Sequence, residues 1–213
     1  MEFASVSSII HWISILATAA MAVSAVAMAS RSGFDPYGAL VLAAVASVGG
    51  GTLRDVLIGA TPVFWVDDLS YVLTIIPTAL LAIVGINFVP TGRGIRLNIL
   101  EMFDAAGLAL FCALGVQKSL IAGIDPIVAV LMGLITGTAG GMFRDVLCGQ
   151  KPSVLQRDLY ASCALVGALV YIGLHHFEFS ALWTLGLSAA VTFTLRLYAI
   201  FSNWSERSIR WRH

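Results

Sequence analysis

Two Arg-Asp pairs stand in strongly apolar stretches of the chain, each a few residues after consecutive glycines. Arg54-Asp55 follows Gly49-Gly50-Gly51, and Arg144-Asp145 follows Gly140-Gly141. Ionisable side chains in apolar membrane segments are costly, and they normally face a water-filled cavity or an oppositely charged partner. We therefore expect these pairs to line a pathway for a charged solute or to act as structural salt bridges that pin helix ends.

Both pairs belong to an internal repeat with an offset of 90 residues. Residues 35–62 align without a gap to residues 125–152, and 11 of these 28 positions are identical. The identities include an initial Asp-Pro, the Gly-Gly-x-x-Arg-Asp-Val-Leu segment, and a later Gly and Pro. The match extends outward, where Asp68-Leu69 corresponds to Asp158-Leu159. A gapless set of Pro, Gly and charged positions indicates a duplicated unit.

The glycines predict a kink near the middle of two helices. Each glycine weakens a helix by about 1 kcal/mol relative to alanine, and a kink exposes backbone carbonyl groups. Kinked helices at matching positions of two repeats point to a translocation site. The predicted pore residues are Gly49, Gly50, Gly51, Gly140 and Gly141. Close helix packing through small residues is the alternative.

Three other residues are candidates for the same pathway. Asp104 lies near the start of the fourth apolar segment, where it could ligate a cation or pair with an arginine. A helix-start carboxylate favoured by the helix dipole is the alternative. Ser14 is its repeat equivalent, so the two halves differ here. Lys118 is a candidate pore-mouth charge, although a solvated loop lysine is the favoured interpretation.

Four hydroxyl groups near the glycines could offer oxygen atoms to an ion, although bonding back to helix carbonyls is their commoner use. They belong to Ser47, Thr52, Thr136 and Thr138. The three cysteines lack metal-ligand spacing, and His175-His176 with Glu178 lacks further ligands. A Ser-His-Asp or Cys-His set is not evident. The sequence therefore predicts no metal site, no cofactor and no enzyme.

The elements that position these residues are membrane helices. The chain has 213 residues, of which 59% are hydrophobic and 11% charged, and its mean hydropathy is +0.91. Soluble domains have about 25% charged residues. A formal net charge of zero gives no indication of a nucleic-acid partner. An all-α polytopic membrane protein is the class that remains.

Seven apolar segments are long enough to cross a bilayer, which takes about 20 residues. They are 9–29, 37–58, 69–89, 102–122, 126–148, 159–177 and 181–201. We predict a single membrane domain over residues 1–213. Its parts are a three-helix repeat over 9–89, a second over 99–178, a seventh helix over 181–201 and a tail over 202–213. Because each repeat has an odd number of helices, the second copy is inverted in the membrane.

Basic residues outside the spans fall mainly on one predicted side of the membrane. Lys118, near the end of the fourth segment, stands alone on the other side. The larger group comprises Arg31, Arg93, Arg96, Lys151, Arg157, Arg207, Arg210 and Arg212. Because cytoplasmic loops carry the excess of basic residues, we predict an outside N-terminus and a cytoplasmic C-terminal tail.

These motifs resemble a bacterial membrane family related to the trimeric intracellular cation channels, whose domain is also labelled a glycine transporter. The resemblance rests on residues 49–57, 103–111 and 140–147, and it extends from about residue 9 to 201. It implies a homotrimer in the lipid of a bacterial plasma (inner) membrane. Each seven-helix protomer would hold its own pore between the second and fifth spans, for monovalent cations and mainly potassium.

The resemblance also implies a gating role for Arg54 or Arg144, since a basic pore residue takes part in gating in the animal relatives. Such sequences often carry an acidic residue in the first helix, where this chain has Ser14. Two alternatives to a passive channel remain. One is a secondary transporter of a small amino acid such as glycine, because inverted repeats with broken helices also suit alternating access. The other is a structural membrane protein without transport.

Overall fold

The computed structural model describes residues 2–90, 94–156 and 159–202, with side chains described from residue 6. Within these ranges the chain forms seven long helices and two single-turn helices, and no strand. They are α1 (Glu2–Arg31), α2 (Pro36–Leu57), α3 (Phe64–Asp67), α4 (Ser70–Asn87), α5 (Ile95–Ile121), α6 (Pro126–Leu147), α7 (Ser153–Gln156), α8 (Tyr160–His176) and α9 (Ala181–Phe201). Each of the seven long helices overlaps one of the seven predicted spans, so the all-α polytopic fold is confirmed.

Six of the long helices have both the length and the hydropathy of a membrane span. The remaining one, α8, is apolar but has only 17 residues. At 1.5 Å per residue it is about 26 Å long, close to the roughly 30 Å thickness of the hydrocarbon core. We therefore describe α8 as the sixth span and α9 as the seventh.

The outer surface of the bundle is apolar. Leu81 of α4 is 73% exposed and Trp183 of α9 is 69% exposed, and both belong to a larger set of exposed aliphatic and aromatic side chains. A water-soluble monomer rarely exposes such continuous apolar surface. The acyl chains of a bilayer are the solvent that suits it.

The two repeats begin and end their central helices in the same way. Asp35 caps α2 by accepting a hydrogen bond from the Gly38 N–H, and Asp125 caps α6 by accepting one from the Ile127 N–H. In each case proline follows the cap, where its missing N–H costs no helical bond. After each helix a glycine with positive φ, Gly59 or Gly149, turns the chain back toward the preceding Arg-Asp pair.

Helices α2 and α6 cross at two glycines. A Cβ atom on Gly50 would overlap the carbonyl oxygen of Thr136, and one on Gly140 would overlap that of Ala46. Under the 90-residue repeat Gly50 corresponds to Gly140 and Ala46 to Thr136, so each contact is the equivalent of the other. A pseudo-two-fold axis therefore passes between α2 and α6. Both helices run as uninterrupted α-helix through their glycines. Close packing through small residues is therefore present, and the predicted kinks stay a prediction.

Part of the charge argument and one position of the repeat match fall outside the described residues. This applies to Arg93, Arg157, Asp158, Arg207, Arg210 and Arg212, and to the tail beyond residue 202. The predicted orientation of the termini and the division into repeats, seventh helix and tail therefore stay predictions.

Candidate functional site

The first Arg-Asp pair forms a three-residue ionic cluster at the end of α2. The Arg54 Nε donates a hydrogen bond of 2.8 Å to Oδ1 of Asp55, and its Nη2 lies 2.8 Å from the same oxygen. The Lys118 Nζ and the backbone N–H of Phe64 each donate a 2.9 Å bond to Oδ2 of Asp55. One carboxylate thus serves two cations, so this cluster carries a net charge of +1. We call this end of the bundle outer and the opposite end inner, after the predicted orientation.

Lys118 corrects a sequence expectation. It lies in the last turn of α5 and pairs with Asp55, so the favoured interpretation as a solvated loop lysine is wrong. The reason is tertiary: α5 ends close to the end of α2, and the long side chain reaches a buried carboxylate there. The Lys118 side chain is still 38% exposed, which leaves its charge accessible to solvent at this end of the bundle.

The second Arg-Asp pair forms a more deeply buried cluster at the end of α6. The Arg144 Nε donates a 2.9 Å bond to Oδ1 of Asp145, and its Nη1 donates bonds of 2.6 Å to Asp104 and 2.7 Å to Ser24. The Ser153 N–H donates to the remaining oxygen of Asp145 at 2.8 Å. The Arg144 side chain is wholly inaccessible to solvent. This inner cluster has two carboxylates and one guanidinium.

Asp104 is not the helix-start carboxylate that was the alternative interpretation. Helix α5 begins at Ile95, so Asp104 lies about two and a half turns inside it, and it is 2% exposed. The helix starts earlier than the predicted span because a mixed polar and apolar turn precedes residue 102. Pairing of Asp104 with an arginine is confirmed by its contact with Arg144. A role as cation ligand stays a prediction.

Tyr160 and Arg196 extend the inner cluster, and the sequence assigned neither of them. Tyr160 is 1% exposed, and its hydroxyl faces both Gly141 and Asp104. The Arg196 guanidinium of α9 lies 4.6 Å from the centre of the Tyr160 ring. The sequence did contain a signal for Arg196, namely an arginine within the apolar segment 181–201. It was missed because α9 lies outside the repeat, so no equivalent position in the other half drew attention to it.

The hydroxyl groups near the glycines bond to backbone carbonyls. Each of the three threonines donates to the carbonyl four residues earlier in its own helix. These are Thr52, Thr136 and Thr138. Ser47 instead bridges to α1 by donating to the Thr18 carbonyl at 3.1 Å. Ser14, the repeat equivalent of Asp104, accepts a 3.1 Å bond from the Tyr71 hydroxyl.

The glycines differ in what they pack against. Gly49 faces the Phe143 ring of α6, and Gly51 faces the Phe64 ring at the start of α3. Gly141, the equivalent of Gly51, faces the Tyr160 hydroxyl and Oδ1 of Asp104. The outer half therefore places an aromatic ring where the inner half places a carboxylate and a hydroxyl.

Two cavities lie at opposite ends of this arrangement. The outer cavity, of about 250 Å³, is lined by Ser14, Gly51, Arg54, Phe64 and Lys118 among others. The inner cavity, of about 320 Å³, is lined by residues that include Arg31, Asp145, Lys151 and Ser153. Several lining positions correspond under the repeat: Ser7 with Leu97, Ile10 with Leu100, Lys118 with Met28, and Ile121 with Arg31. The cavities are pseudo-symmetric, but their charges are not.

Access to the two arginines differs. Arg54 lines the outer cavity, whereas Arg144 and Asp104 line neither of these two cavities.

Near the outer mouth, His11 Nδ1 lies 3.4 Å from Oδ2 of Asp68. The backbone N–H and the hydroxyl of Ser70 hold the pKa of Asp68 below its ordinary value, so this exposed carboxylate keeps its negative charge to lower pH.

Comparison with protein families and curated proteins identifies close sequence relatives. The glycine transporter family matches residues 11–87 and 101–176, two segments that begin 90 residues apart. A UPF0126 membrane protein of Vibrio cholerae is 38% identical over 199 residues, which cover 93% of this chain and 82% of that protein. The UPF0126 inner membrane protein YadS of Escherichia coli is 38% identical over 193 residues, covering 90% of this chain and 92% of YadS.

Solved structures share the fold over almost the whole chain. The TRIC trimeric intracellular cation channel orthologue from Rhodobacter sphaeroides superimposes with a TM-score of 0.84 at 34% identity, covering 92% of this chain and all of that one. A prokaryotic TRIC channel in 0.5 M KCl gives a TM-score of 0.87 at 27% identity, covering 94% and 100% of the two chains. These structural neighbours are ion channels rather than enzymes.

Proposed function

This chain belongs to the glycine transporter family, whose fold it shares with the TRIC channel structures, and we propose that it is a cation channel that conducts mainly potassium. The observation that carries the proposal is the similarity to TRIC cation channel structures over more than 90% of the chain. The pseudo-symmetric pair of cavities, each ending at an Arg-Asp cluster, supports the same function.

The proposed pathway runs through each protomer between α2 and α6. A cation enters the outer cavity past Lys118 and Arg54, passes the crossing of Gly50 and Gly140, and leaves by the inner cavity beside Asp145. Carbonyl groups freed by kinking at the glycines, together with Ser14 and the neighbouring hydroxyls, would replace part of its hydration shell. This requires α2 and α6 to separate at the crossing, since their backbones are in contact there.

Arginine in a cation pathway needs an explanation, and pairing provides it. Arg54 and Arg144 each bond to the following aspartate, so neither presents an isolated positive charge. Arg144 also bonds to Asp104, and this contact closes the inner half. We assign the gate to the Arg144–Asp104 pair: opening separates the two groups and leaves Asp104 to attract the cation.

The assembly and orientation belong to the same proposal. We propose that this chain forms a homotrimer, because its structural neighbour from Rhodobacter sphaeroides is a trimeric channel. We place the chain in the bacterial inner membrane, because its Escherichia coli relative YadS is named an inner membrane protein. We place its N-terminus on the outer side of that membrane. Chemical cross-linking of intact membranes tests the trimer. Reporter fusions to the C-terminal tail test the orientation, and a periplasmic C-terminus would refute it.

Transport of glycine is the second candidate function, and the description of the matching family favours it. The outer cavity of about 250 Å³ has room for a small amino acid. The Arg54 guanidinium on its wall would bind the carboxylate, because arginine recognises carboxylates through paired N–H donors.

Flux from purified protein in liposomes tests both functions. The first arm imposes a potassium gradient and follows a membrane-potential dye, and the second supplies labelled glycine without a potassium gradient. Rapid potassium movement without glycine uptake supports the channel. Saturable glycine uptake with negligible potassium leak overturns the channel and moves Arg54 into a substrate-binding role. Absence of both fluxes from correctly folded protein would leave a structural membrane protein.

A further inference from the structure

Helix α9 lies outside the repeat, yet it delivers a charged side chain to the inner cluster. Arg196 is 3% exposed, and its Nε has no hydrogen-bond partner among the described residues. Its guanidinium stacks on the Tyr160 ring at 4.6 Å, and Tyr160 in turn faces Asp104 through its hydroxyl. A chain of buried contacts therefore runs from α9 through α8 to the Arg144–Asp104 pair.

The two clusters differ in charge, and this difference gives a second buried guanidinium a role in the inner half. The outer carboxylate Asp55 has two cations, Arg54 and Lys118. Met28 replaces Lys118 in the inner half, whereas Asp104 replaces Ser14, so one guanidinium there faces two carboxylates. An uncompensated buried charge is strongly destabilising. Arg196 brings a second buried guanidinium toward these carboxylates, from a helix that has no repeat equivalent.

We propose that Arg196 is a positioning residue for the gate: through Tyr160 it holds Asp104 in place to bind Arg144, so that α9 sets how readily the inner half opens. This inference rests on the proposed channel function. It assigns α9 a role in opening and gives Arg196 no contact with the permeating ion. Its loss therefore changes how often the pore opens and leaves the current through an open pore unchanged.

Single-channel recording of full-length protein in planar bilayers measures these two quantities separately. Arg196→Gln and Tyr160→Phe should each raise the open fraction, by roughly fivefold, at unchanged unitary conductance, since contacting residues in one network couple at this scale. Tyr160→Phe keeps the ring beneath Arg196 and removes only the hydroxyl. Arg196→Lys retains the charge, so it should restore part of the wild-type open fraction.

The matched control is Thr192→Val, one turn before Arg196 on the same helix. Thr192 is fully buried, lies against Gly167 of α8, and donates only to the Ser188 carbonyl. This variant disturbs the contact between α8 and α9 without touching the ionic cluster. If Thr192→Val raises the open fraction as much as Arg196→Gln does, Arg196 acts by helix packing and the proposal is wrong.

A double-mutant cycle completes the test. Asp104→Asn should abolish the effect of Arg196→Gln on the open fraction, whereas independent, additive effects would overturn the proposal. The same four proteins are compared by heat unfolding in detergent, which needs no conduction. If wild-type protein carries no potassium current, the channel function fails. The thermal shifts still decide whether Arg196 acts through Asp104, because non-additive shifts support that link and additive shifts refute it.

Discussion

The Cα of Gly50 lies so close to the carbonyl oxygen of Thr136 that a side chain at residue 50 has no room. The repeat duplicates the contact, since Gly140 meets the Ala46 carbonyl in the same way. Neither neighbour is the end of a flexible side chain, so a substitution would have to displace backbone. The contact between α2 and α6 therefore depends on glycine at both positions.

Gly50→Ala and Gly140→Ala should each destabilise the folded protein by about 1–3 kcal/mol, because an added methyl group forces two backbones apart. Heat unfolding in detergent measures the loss. Gly186→Ala in α9 is the control, since a Cβ there meets nothing within 4 Å. It should be neutral or slightly stabilising, as alanine favours helix over glycine. Equal effects at residues 50 and 186 would contradict the close crossing.

The two arginines should differ in their contribution to stability. Arg144→Gln leaves Asp104 and Asp145 buried together without their guanidinium, and we expect a loss of about 3–5 kcal/mol. Arg54→Gln leaves Asp55 still paired with Lys118, and we expect about 1–2 kcal/mol. Thermal or denaturant unfolding of the two variants side by side provides the measurement. A larger loss at residue 54 would contradict the unequal pairing.

Lys118 should reduce the entry of cations from the outer side. Its side chain is 38% exposed and lines the outer cavity, so Lys118→Gln should raise inward potassium conductance roughly twofold in about 0.1 M salt. The increase should shrink in about 1 M salt, where the Debye length falls to about 3 Å. Lys118→Arg keeps the charge and serves as the control. An increase that does not depend on salt would point to a steric effect instead.

Phe64 should limit the width of the outer cavity. Its ring packs against Gly51 and edge-to-face on Tyr71, with ring centres 4.6 Å apart. Phe64→Ala removes this wall, so unitary potassium conductance should rise by roughly half or more. The open fraction should stay unchanged, because we assign the gate to the inner cluster. Phe88→Ala, at a phenylalanine that is 84% exposed, is the control. An unchanged conductance in Phe64→Ala would place the narrow part of the pathway elsewhere.

The sequence predicted the helices well because their signals are local. Apolar segments of about 20 residues, Asp-Pro caps and C-terminal glycines each act within a few residues, and they placed the seven long helices to within a few residues at most ends. Helices α1 and α5 are the exceptions. Each starts about seven residues before its predicted span, in a stretch where polar and apolar residues alternate.

The sequence was less informative about contacts between helices. It singled out the Arg-Asp pairs and Asp104, but the bonds from Lys118 to Asp55 and from Arg144 to Ser24 join residues 63 and 120 positions apart. Such pairs depend on how helices cross, which one-dimensional spacing does not specify. The glycines illustrate the same limit: their pattern suited a kink or a close contact, and only the structure shows the close contact with the carbonyls of Ala46 and Thr136.

The two halves of the molecule differ in charge, because Lys118 corresponds to Met28 under the repeat and Asp104 corresponds to Ser14. The molecule is therefore electrically asymmetric from one end to the other. Two identical three-helix subunits in opposite orientations would be obliged to present the same charges to both sides of the membrane. When the two units are joined in one chain, each half can carry its own substitutions. The outer cluster has the additional cation Lys118, and the inner cluster has the additional carboxylate Asp104. As the proposed channel, we expect such a molecule to pass current more easily in one direction than in the other.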